Sequence, residues 1–369
     1  NKKIFEFIFK GHIHFGQYQR AQLNNILINE KYSKVCVVID HVLPGIKIFK
    51  NFLQSLVCEV TIVHCDIEEP TYQKLEEKRL EIKNKNFDAF IGIGGGSALD
   101  MAKGLSVLST NLENAITYRG FEKFKNQIPP IIAIPTTAGT GSEITPNASF
   151  VDTEEKKKLG INGELIRPKY AILDPELTLS CPLAPTISAG IDSMVHATEA
   201  FVAKKSNPIA KMFAREGFLL VKNNLPKLVD QLDNIELRGR VMYGAFLSAV
   251  ALMNSGTGPA AAMSYPLGVN FGVPHGIGGG IFLPHVIDYN INKGFLNYSE
   301  LGDYNLENEN QGDAAKIFID EIWSIWKKLR VPKNLKEYGF KPNNIENFTN
   351  ETMDLKPALD QNPIPFYEQ

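Results

Sequence analysis

The strongest local constraint in this chain is an apolar strand that runs straight into glycines and then a helix. Phe90 to Lys103 read FIGIGGGSALDMAK. Glycines let backbone N–H groups approach an anion closely, and the start of a helix adds partial positive charge. This chemistry suits a phosphate or pyrophosphate. The spacing GxGGGSxxD differs from the GxGxxG of a Rossmann fold. Asp100 falls one turn into the helix, where a carboxylate can accept from ribose or amide donors. The plainer alternative is a tight strand–helix turn, with Asp100 complementing the helix dipole.

The surroundings repeat the same grammar. Strands are expected at Lys34–Asp40, Glu59–Val63, Ala89–Ile93 and Ile131–Ile134, with helices over Tyr72–Lys85 and Ser97–Ser109. Strand–helix alternation predicts a doubly wound parallel sheet. A second polar loop follows a strand at Ile134 to Thr145, IPTTAGTGSEIT, rich in hydroxyls and glycine. It suits the other side of a dinucleotide. Asp40 closes a strand, where an acid accepts from an adenosine ribose and repels a 2′-phosphate, favouring NAD over NADP. A solvated strand-end acid is the alternative for Asp40.

Beyond Cys181-Pro-Leu-Ala-Pro185 the pattern becomes helical: Thr186–Lys204, Pro208–Asn223 and Leu237–Met253. The fold class is therefore α/β plus all-α. Residues 1–183 form an N-terminal doubly wound parallel-sheet dinucleotide-binding domain, and 184–369 a C-terminal helical domain for metal and substrate. The polar stretch Asn305–Asp313 reads as a surface loop. Asp192 and His196 sit four apart on one helical face, a pairing that suits zinc or iron(II) or, alternatively, a simple hydrogen bond between them. His275 lies in the glycine-rich VPHGIGGG and His285 follows in LPHVIDYN; a histidine in a tight turn can be a ligand, and the alternative for either is an ordinary polar residue near a helix end. His12, His14, His41 and His64 belong to the other half and are given no role.

The totals exclude some classes of partner. With 369 residues, 22% of them charged and a formal net charge of -2, nothing favours nucleic acid or an anionic membrane. Apolar runs end well short of about 18 residues, too short to span a bilayer. The opening NKKIFEFIFKGHIHFG does not read as a signal peptide, and without an initial Met a few preceding residues are expected. Four cysteines without CxxC spacing point to free thiols and a cytoplasmic chain.

Taken together, GIGGGSALDMAK, IPTTAGTGSEIT, LDPELT, AGIDSMVHATEA and SYPLG…PHGIG…LPHVIDYN resemble the iron-containing (group III) alcohol dehydrogenase family, in the family's order from residue 92 to 290. The resemblance implies a dehydroquinate synthase-like fold, with NAD in the cleft between the domains and a divalent metal, Fe2+ or Zn2+, beside it. It assigns Gly95, Gly96, Ser97 and Asp100 to the phosphates and nicotinamide end of NAD. Thr136, Thr137, Thr140 and Ser142 fall to the rest of the cofactor, Lys158 to the nicotinamide ribose, and Asp40 to the choice of NAD. A homo-oligomer is also among its implications.

The family's metal ligands are an Asp, a His four later and two more histidines fourteen apart. Asp192, His196 and His275 match three. Ala261 stands where the fourth belongs, and Tyr265 replaces a histidine often found before PLG. Three arrangements follow: a three-ligand site completed by water and substrate, which is favoured; entry of Tyr265 or His285; or catalysis without metal. The expected reaction interconverts a small polar alcohol and its aldehyde or ketone by metal-assisted hydride transfer, with Tyr265 as a proton donor or relay. Asn147, Ser149 and Phe150 are the expected lining of the substrate pocket. The alternatives are a sugar-phosphate cyclase of the dehydroquinate synthase type, or a metal-free NAD-binding protein without turnover.

Overall fold

The computed structural model describes residues 4–66, 69–302, 304 and 310–366. The chain forms two compact units, one spanning Lys10–Cys181, the other combining Pro182–Gln369 with the segment up to Phe9. The first nine residues thus leave the expected 1–183 grouping. Phe7 stacks on Phe213 with ring centroids 5.8 Å apart, and the Ile8 N–H donates to Asn254 Oδ1 at 2.6 Å.

In the first unit the strands are β1 His12–Phe15, β2 Lys34–Asp40, β3 Glu59–Cys65, β4 Ala89–Gly94, β5 Gly120–Phe121, β6 Ile131–Pro135, β7 Asn147–Ala148, β8 Val151–Asp152, β9 Lys157–Lys158, β10 Ile161–Asn162 and β11 Tyr170–Leu173. Its helices are α1 Gln22–Asn29, α2 Lys47–Gln54, α3 Tyr72–Ile82 and α4 Gly96–Thr110. Six strands make an all-parallel sheet in the order β1-β11-β6-β4-β2-β3. Side chains alternate between its faces. Val35, Val37 and Ile39 meet Leu23, Leu27, Phe49 and Phe52 of α1 and α2, whereas Cys36 and Val38 meet Leu75, Met101 and Leu105 of α3 and α4. Both faces are covered, so β2 is apolar from Val35 to Ile39 and β4 from Ala89 to Gly94, as a buried parallel sheet requires. The strand order reverses between β2 and β4. Ligands of doubly wound sheets sit outside the carboxyl ends of strands at such a reversal.

The second unit contains α5 Leu183–Val202, α6 Pro208–Leu228, α7 Ile235–Met253, α8 Pro259–Phe271, α9 His275–Asn292, α10 Gln311–Leu329, α11 Ile345–Met353 and α12 Lys356–Leu359. From Ala189 to Val202 every residue of α5 is buried, which makes it the central helix of this unit. Of the loop expected over 305–313, residues 305–309 lie outside the described residues. Gln311 to Asp313 instead begin α10, because the Asn310 side chain accepts the Asp313 N–H at 2.9 Å and caps the helix.

Candidate functional site

The glycine cradle forms at the carboxyl end of β4. Gly94 takes a φ of 151°, a conformation that side chains resist, and a Cβ there would lie 2.7 Å from Ala98 Cβ and 3.2 Å from Asp40 Cβ. Asp40 ends β2, so the expected ribose acid and the cradle meet at the strand-order reversal. Burial raises the Asp40 pKa, and the Val42 N–H donates to its carboxylate at 3.3 Å. Gly95 caps α4 while Gly96 and Ser97 open it, leaving the first N–H groups of the helix without intrahelical partners. The second loop closes over them. The Thr136 N–H donates to the Gly94 carbonyl at 2.9 Å. A Cβ on Gly95 would lie 3.6 Å from Thr137 Cγ2, and one on Gly96 2.9 Å from Thr140 Cγ2.

Asp100, Lys103 and Ser142 tie the two loops together. Ser142 Oγ donates to Asp100 Oδ1 at 2.5 Å, and the Ser149 N–H donates to Asp100 Oδ2 at 2.9 Å. Both carboxylate oxygens thus face the protein's own donors. Lys103 is fully buried and donates to Ser142 Oγ at 2.9 Å and to the carbonyls of Thr145 at 3.0 Å and Asn147 at 2.7 Å. Burial pulls the Lys103 pKa down to about 8, opposed by Asp100. Burial pushes the Asp100 carboxyl up, opposed by the same lysine. Lys158 on β9 donates to Glu69 Oε1 at 2.7 Å. Phe150, expected in the substrate pocket, is instead completely buried under α4 against Tyr72 and Gly104. Its size and apolarity suit that core, and it cannot line a pocket.

In the helical unit, Asp192, His196 and His275 offer ligand atoms all within 4.8 Å of one another. Asp192 Oδ1 lies 3.4 Å from His196 Nε2 and 3.7 Å from His275 Nε2. Bonds of about 2.0–2.2 Å to a tetrahedral cation separate its ligands by roughly 3.3–3.6 Å; the Asp192–His196 pair falls in that range and the Asp192–His275 pair just beyond it. Two imidazoles and a carboxylate are a donor set suited to zinc or iron(II). His196 Nδ1 is buried and has no hydrogen-bond partner among the described residues. Binding an ion at the ring's other nitrogen would give this costly buried imidazole a strong interaction.

Of the two readings of His275, a tight turn or a helix end, the structure shows the helix end. His275 opens α9, and the glycines after it let that helix approach its neighbours closely. A Cβ on Gly276 would lie 2.0 Å from the Ser188 carbonyl oxygen and 2.9 Å from Asp192 Cβ; one on Gly280 would lie 2.5 Å from Ile191 Cγ2. Close packing on α5 outweighs the poor helix propensity of glycine and brings His275 beside Asp192. His285 lies ten residues along the same helix, about 15 Å away. It is exposed and packs edge-on against Trp323, so it cannot join the cluster. Tyr265 on α8 does reach it, edge-on to the His275 ring at 5.0 Å between centroids.

Two neighbours of the cluster escaped the sequence reading. Glu199 shares the α5 face with Asp192 and His196, a signal visible in the i, i+4, i+7 spacing. It is buried and accepts N–H groups from Gly258 at 2.7 Å and Ala260 at 2.6 Å at the start of α8. Burial raises its pKa to about 7, opposed by those donors. Ser264 had no signal, because its neighbour depends on how α8 packs against α9.

The chain matches the family described as "Iron-containing alcohol dehydrogenase" over residues 11–175 and "Fe-containing alcohol dehydrogenase family, C-terminal" over 186–369. It is 34% identical to the NAD-dependent methanol dehydrogenase of Bacillus methanolicus, covering 72% of this chain and 70% of that one. It is 31% identical to the 1,3-propanediol dehydrogenase of Klebsiella pneumoniae, covering 79% and 76%. A crystal structure of 1,3-propanediol oxidoreductase superposes with a TM-score of 0.92 at 27% identity, covering 98% of this chain and 96% of that one. The chain therefore belongs to the iron-containing alcohol dehydrogenase family, with that family's dehydroquinate synthase-like fold. It is an oxidoreductase interconverting alcohols and aldehydes, in a family whose cofactors are NAD and a metal ion. This sets aside the sugar-phosphate cyclase alternative. Among the described residues, no helix is long and apolar enough to cross a membrane.

Proposed function

We propose that this chain interconverts a small polar alcohol and its aldehyde or ketone, with NAD as redox partner and one divalent cation, Fe2+ or Zn2+, on three protein ligands. The observation that carries this reading is the convergence of Asp192, His196 and His275 within 4.8 Å, despite Ala261 in place of a fourth ligand. Three protein ligands with a position left open are the usual arrangement of a catalytic zinc. Such a cation supplies Lewis acidity toward the alcohol oxygen, and NAD supplies the hydride acceptor.

The chain's own residues carry out the remaining work. Backbone N–H groups at Gly95, Gly96 and Ser97 receive the cofactor phosphates, with Thr136, Thr137 and Thr140 beside them. Asp40 accepts from the adenosine ribose and disfavours a 2′-phosphate. Asp100 and Ser142, bonded to each other, hold the second loop in register rather than reaching outward alone. Lys158 serves the nicotinamide ribose. Tyr265, against His275, donates or relays the proton at the substrate oxygen. The four free thiols support a cytoplasmic setting; a homo-oligomer is carried over from the family.

The test is NADH formation over a panel of small alcohols and diols, using protein stripped by chelator and then reloaded with Fe(II) or Zn(II). Turnover that needs both NAD and metal supports the reading. Intact NAD binding with no turnover on any alcohol or aldehyde, loaded or stripped, sinks it in favour of a binding protein.

A further inference from the structure

We propose that Ser264 is a positioning residue that locks the His275 imidazole in the tautomer with its proton on Nδ1 and none on Nε2. The proposal deepens the metal-site reading above and rests on it for its functional meaning.

Ser264 Oγ lies 2.7 Å from His275 Nδ1 and 2.6 Å from the carbonyl oxygen of Ala261. A serine hydroxyl has one proton to give. A carbonyl oxygen can only accept, so an oxygen–oxygen approach of 2.6 Å requires that the proton point at Ala261. Ser264 Oγ is then left as an acceptor toward His275, and Nδ1 must carry the hydrogen that meets it. The chain of donors therefore runs one way, from His275 Nδ1–H to Ser264 Oγ and from Ser264 Oγ–H to the Ala261 carbonyl. In a neutral imidazole Nε2 then carries no proton, and it lies 3.7 Å from Asp192 Oδ1. A hydrogen bond to the far nitrogen of a ligating histidine fixes its tautomer and ring orientation and raises its basicity.

The setting makes the lock rigid. Ser264 is 1% exposed, and a Cβ on Gly278 would lie 3.1 Å from its Cβ. The two histidines of the cluster differ in this respect, because His196 Nδ1 has no partner among the described residues. With three protein ligands rather than four, the orientation of each imidazole matters more to affinity.

The test uses full-length, metal-free protein labelled with 15N-histidine. Long-range 1H–15N correlation reports the tautomer of His275, assigned by its loss in His275→Asn. Spectra are recorded at about pH 8.5. The parent is expected to show His275 protonated at Nδ1. Ser264→Ala should give a mixture of tautomers. Co(II) titration followed by visible absorption should show affinity about tenfold weaker in Ser264→Ala. A parent protonated at Nε2, or a Ser264→Ala spectrum identical to the parent, overturns the proposal. Equal Co(II) affinity in parent and Ser264→Ala also overturns it. If neither protein binds Co(II) but the tautomer shifts as expected, the lock stands and the metal-site reading fails.

Discussion

The Glu199 carboxylate accepts the backbone N–H of Ala260 at 2.6 Å, and so a side chain on α5 caps the first turn of α8. The Gly258 and Ala261 N–H groups donate to the same carboxylate at 2.7 and 3.3 Å. Through this cap, α5, which carries Asp192 and His196, fixes the start of the helix that carries Ser264 and Tyr265.

That cap carries a pH signature. Burial raises the Glu199 pKa from 4.5 to about 7 in the folded protein. Between those values the native state binds more protons than the unfolded chain, so stability falls as pH rises through the window. The contribution is complete below about 4.5 and lost above about 7. In metal-free protein, Glu199→Gln should be less stable than the parent at low pH, because one acceptor is lost. The gap should narrow by up to on the order of 3 kcal/mol as pH rises through the window. Urea unfolding at several pH values reads this directly; a gap that stays constant contradicts it.

Lys103 on α4 fastens the Ser142–Asn147 segment from inside. Lys103→Met keeps the volume but leaves the Thr145 and Asn147 carbonyls without their donor and Asp100 without its neighbouring cation. The expected loss is about 3–5 kcal/mol of stability, as for breaking a buried pair from one side. NAD affinity should fall with it. Chemical denaturation and NAD titration of the same sample measure both, and a loss under about 1 kcal/mol would count against the fastening role.

Gly94→Ala places a methyl group 2.7 Å from Ala98 Cβ at a φ of 151°. It should cost about 2 kcal/mol or more and weaken NAD binding at least severalfold. Gly45→Ala is the control, since a Cβ there meets nothing within 4 Å, and it should stay within about 0.5 kcal/mol of the parent. Thermal melts and NAD titrations separate the two.

Much of this was legible from sequence because it is local. β2 runs Lys34–Asp40 as expected, since a parallel strand buried on both faces is a continuous apolar run. The cradle was legible because three glycines between strand and helix have few other uses. β1 and β11 were not foreseen: four residues each, β1 is set as a strand by pairing with β11 at the sheet edge and β11 by pairing with β1 and β6. The choice between a turn and a helix end at His275 was not legible, because glycine's helix cost is visible in sequence while the close α5 contact that outweighs it is not. Ser264 was invisible for the same reason, since its meaning lies in a neighbour on another helix.

Asp40 sets the choice of cofactor in this account. Asp40→Ala removes the charge beside the cradle, and kcat/KM with NADP should rise relative to NAD by about tenfold or more. Steady-state rates with the two cofactors measure the ratio. An unchanged ratio would remove Asp40 from that role.

The central claim is a cation on Asp192, His196 and His275 that alcohol oxidation requires. Its most direct measurement is metal content against NADH formation during reloading of chelator-stripped protein. Activity should rise in step with bound metal and saturate at one ion per chain, and His196→Ala and His275→Ala should neither bind the ion nor turn over. Full turnover by stripped protein with metal content near zero would contradict the account.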